Sequence, residues 1–340
     1  MLKVITDQPA IKKYTRLFVK KFKPFIDEAI KVKLGHQGAS FPAKVLWSRK
    51  LGIWSFSHTI NEVRYWNAFG KGKPHDTNIL STTAEINFPW EGIDRKTGGA
   101  FAEDVWGNIF VIHRGKIGGG KKGVGKSLFE HNYHGVWSFM EDGDSVTQVA
   151  VIGALTSSRF ALQTALFVKK IEKIKSTAAS SPQTEMNFAE ITFREDLVGA
   201  VPSPAVSEIF TACDCDLVVT SLANLLMRWK FRVGNDTNHQ LFLIDPSKGK
   251  ISHVFEVLAD IKEKSVMAAA AKLLLQSAAD EGSSLPILVL PEDGINAYTQ
   301  ELQKINISVI GYRLEGERII FPDLGKILTK IRSCEKKYIS

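Results

Sequence analysis

Cysteine is scarce in this chain: three in 340 residues, two of them in Cys213-Asp214-Cys215. That number and spacing make neither a disulfide framework nor a zinc site, and a reduced, cytoplasmic setting is expected. No run of eighteen apolar residues occurs, so no membrane-spanning helix is expected. The opening stretch MLKVITDQPAIKKYTRLF lacks the apolar centre and small-residue cleavage site of a secretory signal. Internal repeats are absent as well. Negative charge is thin at one end: residues 1–50 hold twelve Lys or Arg against Asp7, Asp27 and Glu28, a surplus of nine, while the whole chain carries +8. Charge concentrated in this way suits a polyanion-binding face, because each phosphate neutralised releases counterions.

What is present fits two folded domains, with 44% hydrophobic and 24% charged residues. Ser176-Thr-Ala-Ala-Ser-Ser-Pro-Gln-Thr184 is small, polar and proline-containing, and marks a linker over 176–190 between domains at 1–175 and 191–340. An amphipathic basic helix is expected over 11–32, divided near Pro24. Glycine-separated runs at 44–47, 53–58, 81–88, 109–114 and 135–139 read as a curved antiparallel sheet. A helix over 159–175 closes this half. After the linker the expected order is helix 217–229, strands 241–244 and 252–257, helix 264–279, strand 286–290, helix 294–305, strand 307–312 and helix 324–333. The class is therefore α+β / α/β, the second half being a mixed sheet flanked by helices.

Gly120-Lys-Lys-Gly-Val-Gly-Lys-Ser127 fits the phosphate-loop pattern letter for letter. That loop needs a buried parallel strand leading straight into it and a long helix leading out. Here six residues separate it from the preceding strand, and the sequence beyond Ser127 is aromatic and broken at Gly135. The match is read as accidental. The stretch still has a use, since between His113 and Lys126 it combines six glycines with Arg114, Lys116, Lys121, Lys122 and Lys126. Glycine lets backbone N–H groups converge on an anion and lysine adds charge, so these five residues are the candidate DNA contacts. One or two of the tryptophans nearby are candidates for stacking on bases.

The stretches Val233–Asp245 and Ile251–Asp260, with the helix before and the alanine-rich helix after them, resemble the core of the PD-(D/E)XK, or restriction-endonuclease-like, superfamily. The resemblance implies a restriction-endonuclease-like mixed sheet flanked by helices. It also implies a Mg²⁺-dependent nuclease site built from an acid opening the first hairpin strand and an E-x-K on the second. Glu256 matches the glutamate. The lysine position is Leu258, and the acid position is Gln240. An active site would need Glu256 and Asp245, or Asp236, on the metal, with a displaced lysine, Lys262 or Lys264, reaching in from the next helix. Ala84–Phe88, Gly99–Ala102 and His113–Gly120 resemble uncharacterised modules fused to bacterial HNH or restriction-type nucleases.

Together these readings give two expectations. The first is a DNA-binding protein of a bacterial restriction or anti-phage defence system with a catalytically degenerate C-terminal domain and no cofactor. The alternative is a metal-dependent endonuclease using Glu256, Asp245 and Lys262 with Mg²⁺. DNA is the partner in both. An active nuclease or other defence subunit, or a second copy of the chain, would complete the first.

Overall fold

In the computed structural model the described residues are all except 37, 61, 76–78, 119–124, 180–192, 194–207, 280–283 and 327–340. They form an α+β protein of two compact units, Met1–Asn187 with Gly199–Cys213, and Phe188–Val198 with Asp214–Ser340. Most of the stretch read as a linker, 176–190, lies outside the described residues, as does most of the helix expected over 324–333.

The first unit opens with strand β1 (Leu2–Val4) and helix α1 (Gln8–Phe22). Asp7 caps α1 by accepting from the Ala10 N–H at 2.9 Å, and Pro9 stands in the first turn where no N–H is missed. Ile11, Thr15, Phe18 and Phe22 recur at helical spacing and form its buried row. The helix ends well before residue 32. A single 3₁₀ turn, Lys23–Phe25, holds Pro24, and from Glu28 the pattern has period two, with Val32 and Leu34 buried between exposed Lys31 and Lys33. That segment is β2 (Glu28–His36), which continues through β3 (Ala39–Ser48), β4 (Ile53–Ile60) and β5 (Arg64–Lys71) as an antiparallel meander. Short strands β6 (Ile79–Leu80), β7 (Ala84–Glu85) and β8 (Phe88–Pro89) complete this sheet.

The single sheet expected from the sequence is divided in two, the runs at 109–114 and 135–139 belonging to a separate barrel. Strands β9 (Gly99–Glu103), β10 (Ile109–His113), β11 (Trp137–Asp142) and β12 (Ser145–Ala154) close with β1 into a barrel of order β1-β11-β12-β10-β9. Helix α2 (Lys126–Asn132) lies between β10 and β11, and α3 (Phe160–Ala179) follows β12. Strand β10 is antiparallel to both neighbours and α2 has only seven residues, which is not the frame of a phosphate loop.

Two buried groups organise the barrel end from which the glycine–lysine stretch departs. Arg114 is turned inward, contacting Asp142 through Nη2 at 2.8 Å and Nε at 3.2 Å, with Nη1 3.4 Å from the carbonyls of Thr97 and Gly99. Burial favours the neutral form of Asp142, but the hydrogen bonds and charge of Arg114, with Arg95 behind, hold its carboxyl below the ordinary range. His113 is fully buried; its Nδ1 accepts from the Gly115 N–H at 3.0 Å and its Nε2 faces the Glu85 carbonyl at 3.2 Å. This is a neutral ring with the proton on Nε2. Gly115 is left-handed (φ +85°), and a Cβ there would meet Phe129 at 2.7 Å; a Cβ on Gly98 would meet His113 at the same distance.

The second unit contains α4 (Ile209–Arg228), inside which the division between units falls, then β13 (Arg232–Gly234), β14 (Leu241–Ile244), β15 (Ile251–Val257) and α5 (Glu263–Ala279). Strand β16 (Leu285–Pro291), α6 (Ile295–Lys304), β17 (Ser308–Glu315) and β18 (Arg318–Ile320) follow. The sheet runs in sequence order from β13 to β18. Strands β13, β14 and β15 are antiparallel neighbours, β15, β16 and β17 are parallel, and β18 turns back on β17. Val218, Leu222 and Leu226 of α4 pack on one face, and Val266, Ala270 and Leu273 of α5 with Leu302 of α6 on the other. Helix α4 is the one helix among the described residues long and apolar enough to cross a bilayer, and those same apolar residues are buried in this core.

His113 makes the first unit acid-sensitive. Burial lowers its pKa to about 4 from 6.5, so between those values the unfolded chain binds more protons than the folded one. Stability is complete above pH 6.5 and falls as pH drops towards 4, by about 3 kcal/mol at 1.36 kcal/mol per unit. Urea unfolding followed by tryptophan fluorescence at pH 7.5 and 4.5 measures this. His113→Gln, which keeps a donor and an acceptor, is expected to remove most of the pH dependence.

Candidate nucleic-acid interface

The sheet presents Ser57, Thr59, Tyr65 and Asn67 on the side that faces α1. Ser57 pairs with Asn67 and Thr59 with Tyr65 across the β4–β5 ladder, so each pair points the same way. Between this floor and α1 lies a groove of about 780 Å³. The opposite wall carries Lys12, Arg16 and Lys20 of α1 and Lys23 of the 3₁₀ turn that follows it. These positions, i, i+4, i+8 and i+11, stand about a third of a turn round from the buried row, roughly 6 Å apart along the axis for each step of four. Among the described residues none of the four has a carboxylate partner, and no carboxylate lines the groove. Trp90 stacks on Tyr65 with ring centres 5.2 Å apart and an interplanar angle of 24°, and Trp90 is only half-buried. The Tyr65 and Thr15 hydroxyls are buried at the groove without hydrogen-bond partners. Burial pushes the Tyr65 phenol up, and the charge of Arg16 acts against it. By alternation and register, Lys31 and Lys44, paired directly across β2 and β3, are exposed on the same side of the sheet and extend the positive face.

The basic segment thus lines one wall of the groove in its helical part, a row that the charge count included without setting it apart from the other eight basic residues. The missed signal is the spacing: 12, 16, 20 and 23 share one flank. Lys21 is not part of it, since its Nζ donates to the carbonyls of Thr156 and Ser157 at 3.1 and 2.9 Å. Of the five candidate contacts in the glycine–lysine stretch, Lys116 and Lys126 are exposed, Lys126 standing 3.5 Å from Glu130. Lys121 and Lys122 lie outside the described residues. Arg114 is a correction: its guanidinium is buried on Asp142 and offers nothing to a phosphate.

In the second unit the nuclease-like centre departs from the expected one. Glu256 lies on β15 facing α5, and Lys272 of α5 reaches it, Nζ standing 2.9 Å from Oε1 and 2.8 Å from Oε2. Burial raises the Glu256 pKa, and the charges of Lys272 and His239 only partly offset this. Asp245 does not join it. Leu241 pairs with Phe255, so Glu256 stands opposite position 240 while Asp245 is at the far end of the hairpin, roughly 16 Å away at 3.3 Å per residue. Its carboxylate instead caps the turn through Ser247. Asp236 is held by His239, with Nδ1 at 2.9 Å, and Gln240 accepts from the Val257 N–H at 2.7 Å. Lys262 is exposed at the start of α5. Among the described residues no three His, Cys, Asp or Glu side chains gather in a way that would hold a metal ion. Glu256 and Asp245 therefore do not fit one Mg²⁺, whose ligands must lie at about 2.1 Å. Lys272, the one cation in the run Met-Ala-Ala-Ala-Ala-Lys-Leu-Leu-Leu, was the residue to notice.

The chain matches no family model, no curated protein and no solved structure.

The Glu256–Lys272 pair makes a stability prediction. A carboxyl whose folded pKa exceeds its unfolded value gives stability that is complete below the unfolded value and lost as pH rises through the folded one. Lys272→Met removes the charge that offsets this, so it is expected to cost about 1–3 kcal/mol at pH 7 and less at pH 5. Adding Glu256→Gln should restore stability at pH 7. Urea titrations of the three variants at both pH values check the set.

Proposed function

We propose that the chain is a DNA-binding protein of a bacterial restriction or anti-phage defence system, acting in the cytoplasm, that holds DNA in the groove beside α1 while its C-terminal unit does not cleave. The observation that carries the reading is the row Lys12, Arg16, Lys20 and Lys23 without acidic partners along one groove. Cations at steps of about 5–6 Å suit a phosphate backbone, and among the described residues these four have no carboxylate partner. The restriction or defence setting rests on the resemblances of both halves. A nuclease-like second unit is supported by the order helix, hairpin, helix, strand and by Glu256 on the second hairpin strand. Its inactivity is supported by Gln240 and Leu258 at two motif positions, by the distance of Asp245, and by the neutralisation of Glu256. An active nuclease subunit is the partner such an arrangement calls for, and a second copy of the chain is the simpler one.

One observation favours the active endonuclease instead: Lys272 places a lysine from the next helix beside Glu256. The two readings separate in one assay. Plasmid and single-stranded DNA incubated with Mg²⁺ or Mn²⁺ are expected to remain intact with the wild type, while cleavage lost in Glu256→Ala would establish the enzyme. In parallel, the logarithm of the DNA-binding constant should fall with the logarithm of salt with a slope near −3.6 for four phosphate contacts on duplex, at about −0.9 each. Replacing Lys12, Arg16, Lys20 and Lys23 by Gln together should flatten that slope to near zero for this groove. A slope unchanged by the four substitutions would sink the proposal.

A further inference from the structure

We propose that the groove takes a single strand of nucleic acid, with one unstacked base against the exposed part of Trp90 and the flanking phosphates on the cations of α1 and the turn after it. This deepens the DNA-binding reading and rests on it. The cations alone would serve a duplex equally well, so the argument turns on the floor. A duplex keeps its bases paired inside two backbones, and only its phosphates would reach the rim formed by Lys12, Arg16, Lys20 and Lys23. The aromatic pair and the polar floor would then have nothing to meet.

Three features of the floor fit a splayed base. Tyr65 covers one side of the Trp90 indole at 5.2 Å and braces it, while Trp90 remains half-exposed at the groove. Every base has a flat face to stack on such a ring, whatever its identity. The buried hydroxyls of Tyr65 and Thr15 have no partner in the protein, an arrangement that costs stability unless a ligand supplies one. Ser57 and Thr59 are exposed along the same floor and offer donors and acceptors to a base edge. The groove's volume of about 780 Å³ falls within the range of sites that enclose a small organic ligand.

The test uses the full chain and fluorescence anisotropy with labelled twelve-residue oligothymidylate, oligouridylate and a blunt duplex of twelve base pairs. The single strand, in whichever sugar form binds better, is expected to bind at least about tenfold more tightly than the duplex and to quench tryptophan fluorescence. Trp90→Ala should weaken strand binding about tenfold or more, the usual size of a lost stack, without changing the salt slope. Trp90→Phe, which keeps a flat ring on Tyr65, should retain most of the affinity and serves if Trp90→Ala fails to fold. Tyr65→Phe should weaken strand binding several-fold yet leave thermal stability equal or higher, because it deletes a buried hydroxyl that nothing in the protein pairs. Arg16→Gln should reduce the salt slope by roughly 0.7, the single-strand value for one phosphate.

Duplex bound as tightly as single strand, or strand affinity unmoved in Trp90→Phe, Trp90→Ala and Tyr65→Phe, would overturn this inference and leave DNA binding by the basic row standing. Salt-independent or absent binding to all three oligonucleotides would overturn both.

Discussion

The first unit depends on how Phe18 is held. Its ring meets Phe22, Phe69, Phe88 and Phe160 with centres 5.1 to 6.2 Å apart, all edge-on, so helix α1 is locked simultaneously to β5, β8 and α3. Edge-to-face pairs of this kind add about 0.5–1.5 kcal/mol each beyond the burial of the ring. Once Phe18 is fixed, the helix has no rotational freedom left. The row of cations a third of a turn away then faces the groove, and the lysine on the other flank, Lys21, lands on the carbonyls of Thr156 and Ser157 just after β12. A helix with the same charge but a weaker buried row would present its lysines to solvent in all directions. Aromatic packing therefore gives a patch of charge its direction.

The same logic separates two uses of positive charge that look alike in sequence. Arg114 and the lysines after it form one basic, glycine-rich run, yet Arg114 is a barrel strut on Asp142 while Lys116 and Lys126 are exposed. Nothing in the local pattern distinguishes them. The distinction comes from Asp142, twenty-eight positions away and brought alongside by the closure of the barrel. His113 is of the same kind: its neighbours Gly115 and Gly98 are glycine because the ring and Phe129 occupy the space a side chain would need. The part of the motif that looked most like a ligand site is in its first three residues architecture.

Legibility followed the range of the interactions. The helices at 160–179 and 263–279 and the hairpin around Asp245 were readable because helical spacing and turn residues are local signals. Strands β1, β9 and β12 were not, since they exist only as partners in a closed barrel, and the start of β2 reads as the end of a helix because Phe25, Ile26 and Ile30 extend the apolar side of α1. The groove was half visible: the charge surplus stood out, but its floor comes from β4 and β5, forty residues beyond the helix. At the nuclease-like centre the losses at Gln240 and Leu258 were plain from the motif. What filled them was not, because the Gln240 side chain accepts from the Val257 N–H through Oε1 and Lys272 comes from the middle of the next helix.

The two units treat charge in opposite ways, and that contrast bears on where binding occurs. In the second unit Glu256 is buried and its charge is met by Lys272, Asp236 is met by His239, and Asp245 is used in a turn. Each of these acids already has a partner within the fold, so a ligand there would have to displace it. In the groove beside α1 the reverse holds: four cations lack acids, and two buried hydroxyls lack partners. An isolated exposed lysine means little, since it is well hydrated alone. Four on one flank repel one another, and orphaned buried hydroxyls lose water without recompense. Unpaired buried hydroxyls occur elsewhere in both units, Thr82 and Thr220 among them; what sets the groove apart is that two of them line the same cavity as the four cations, where an anion that also carries hydrogen-bonding groups would complete both.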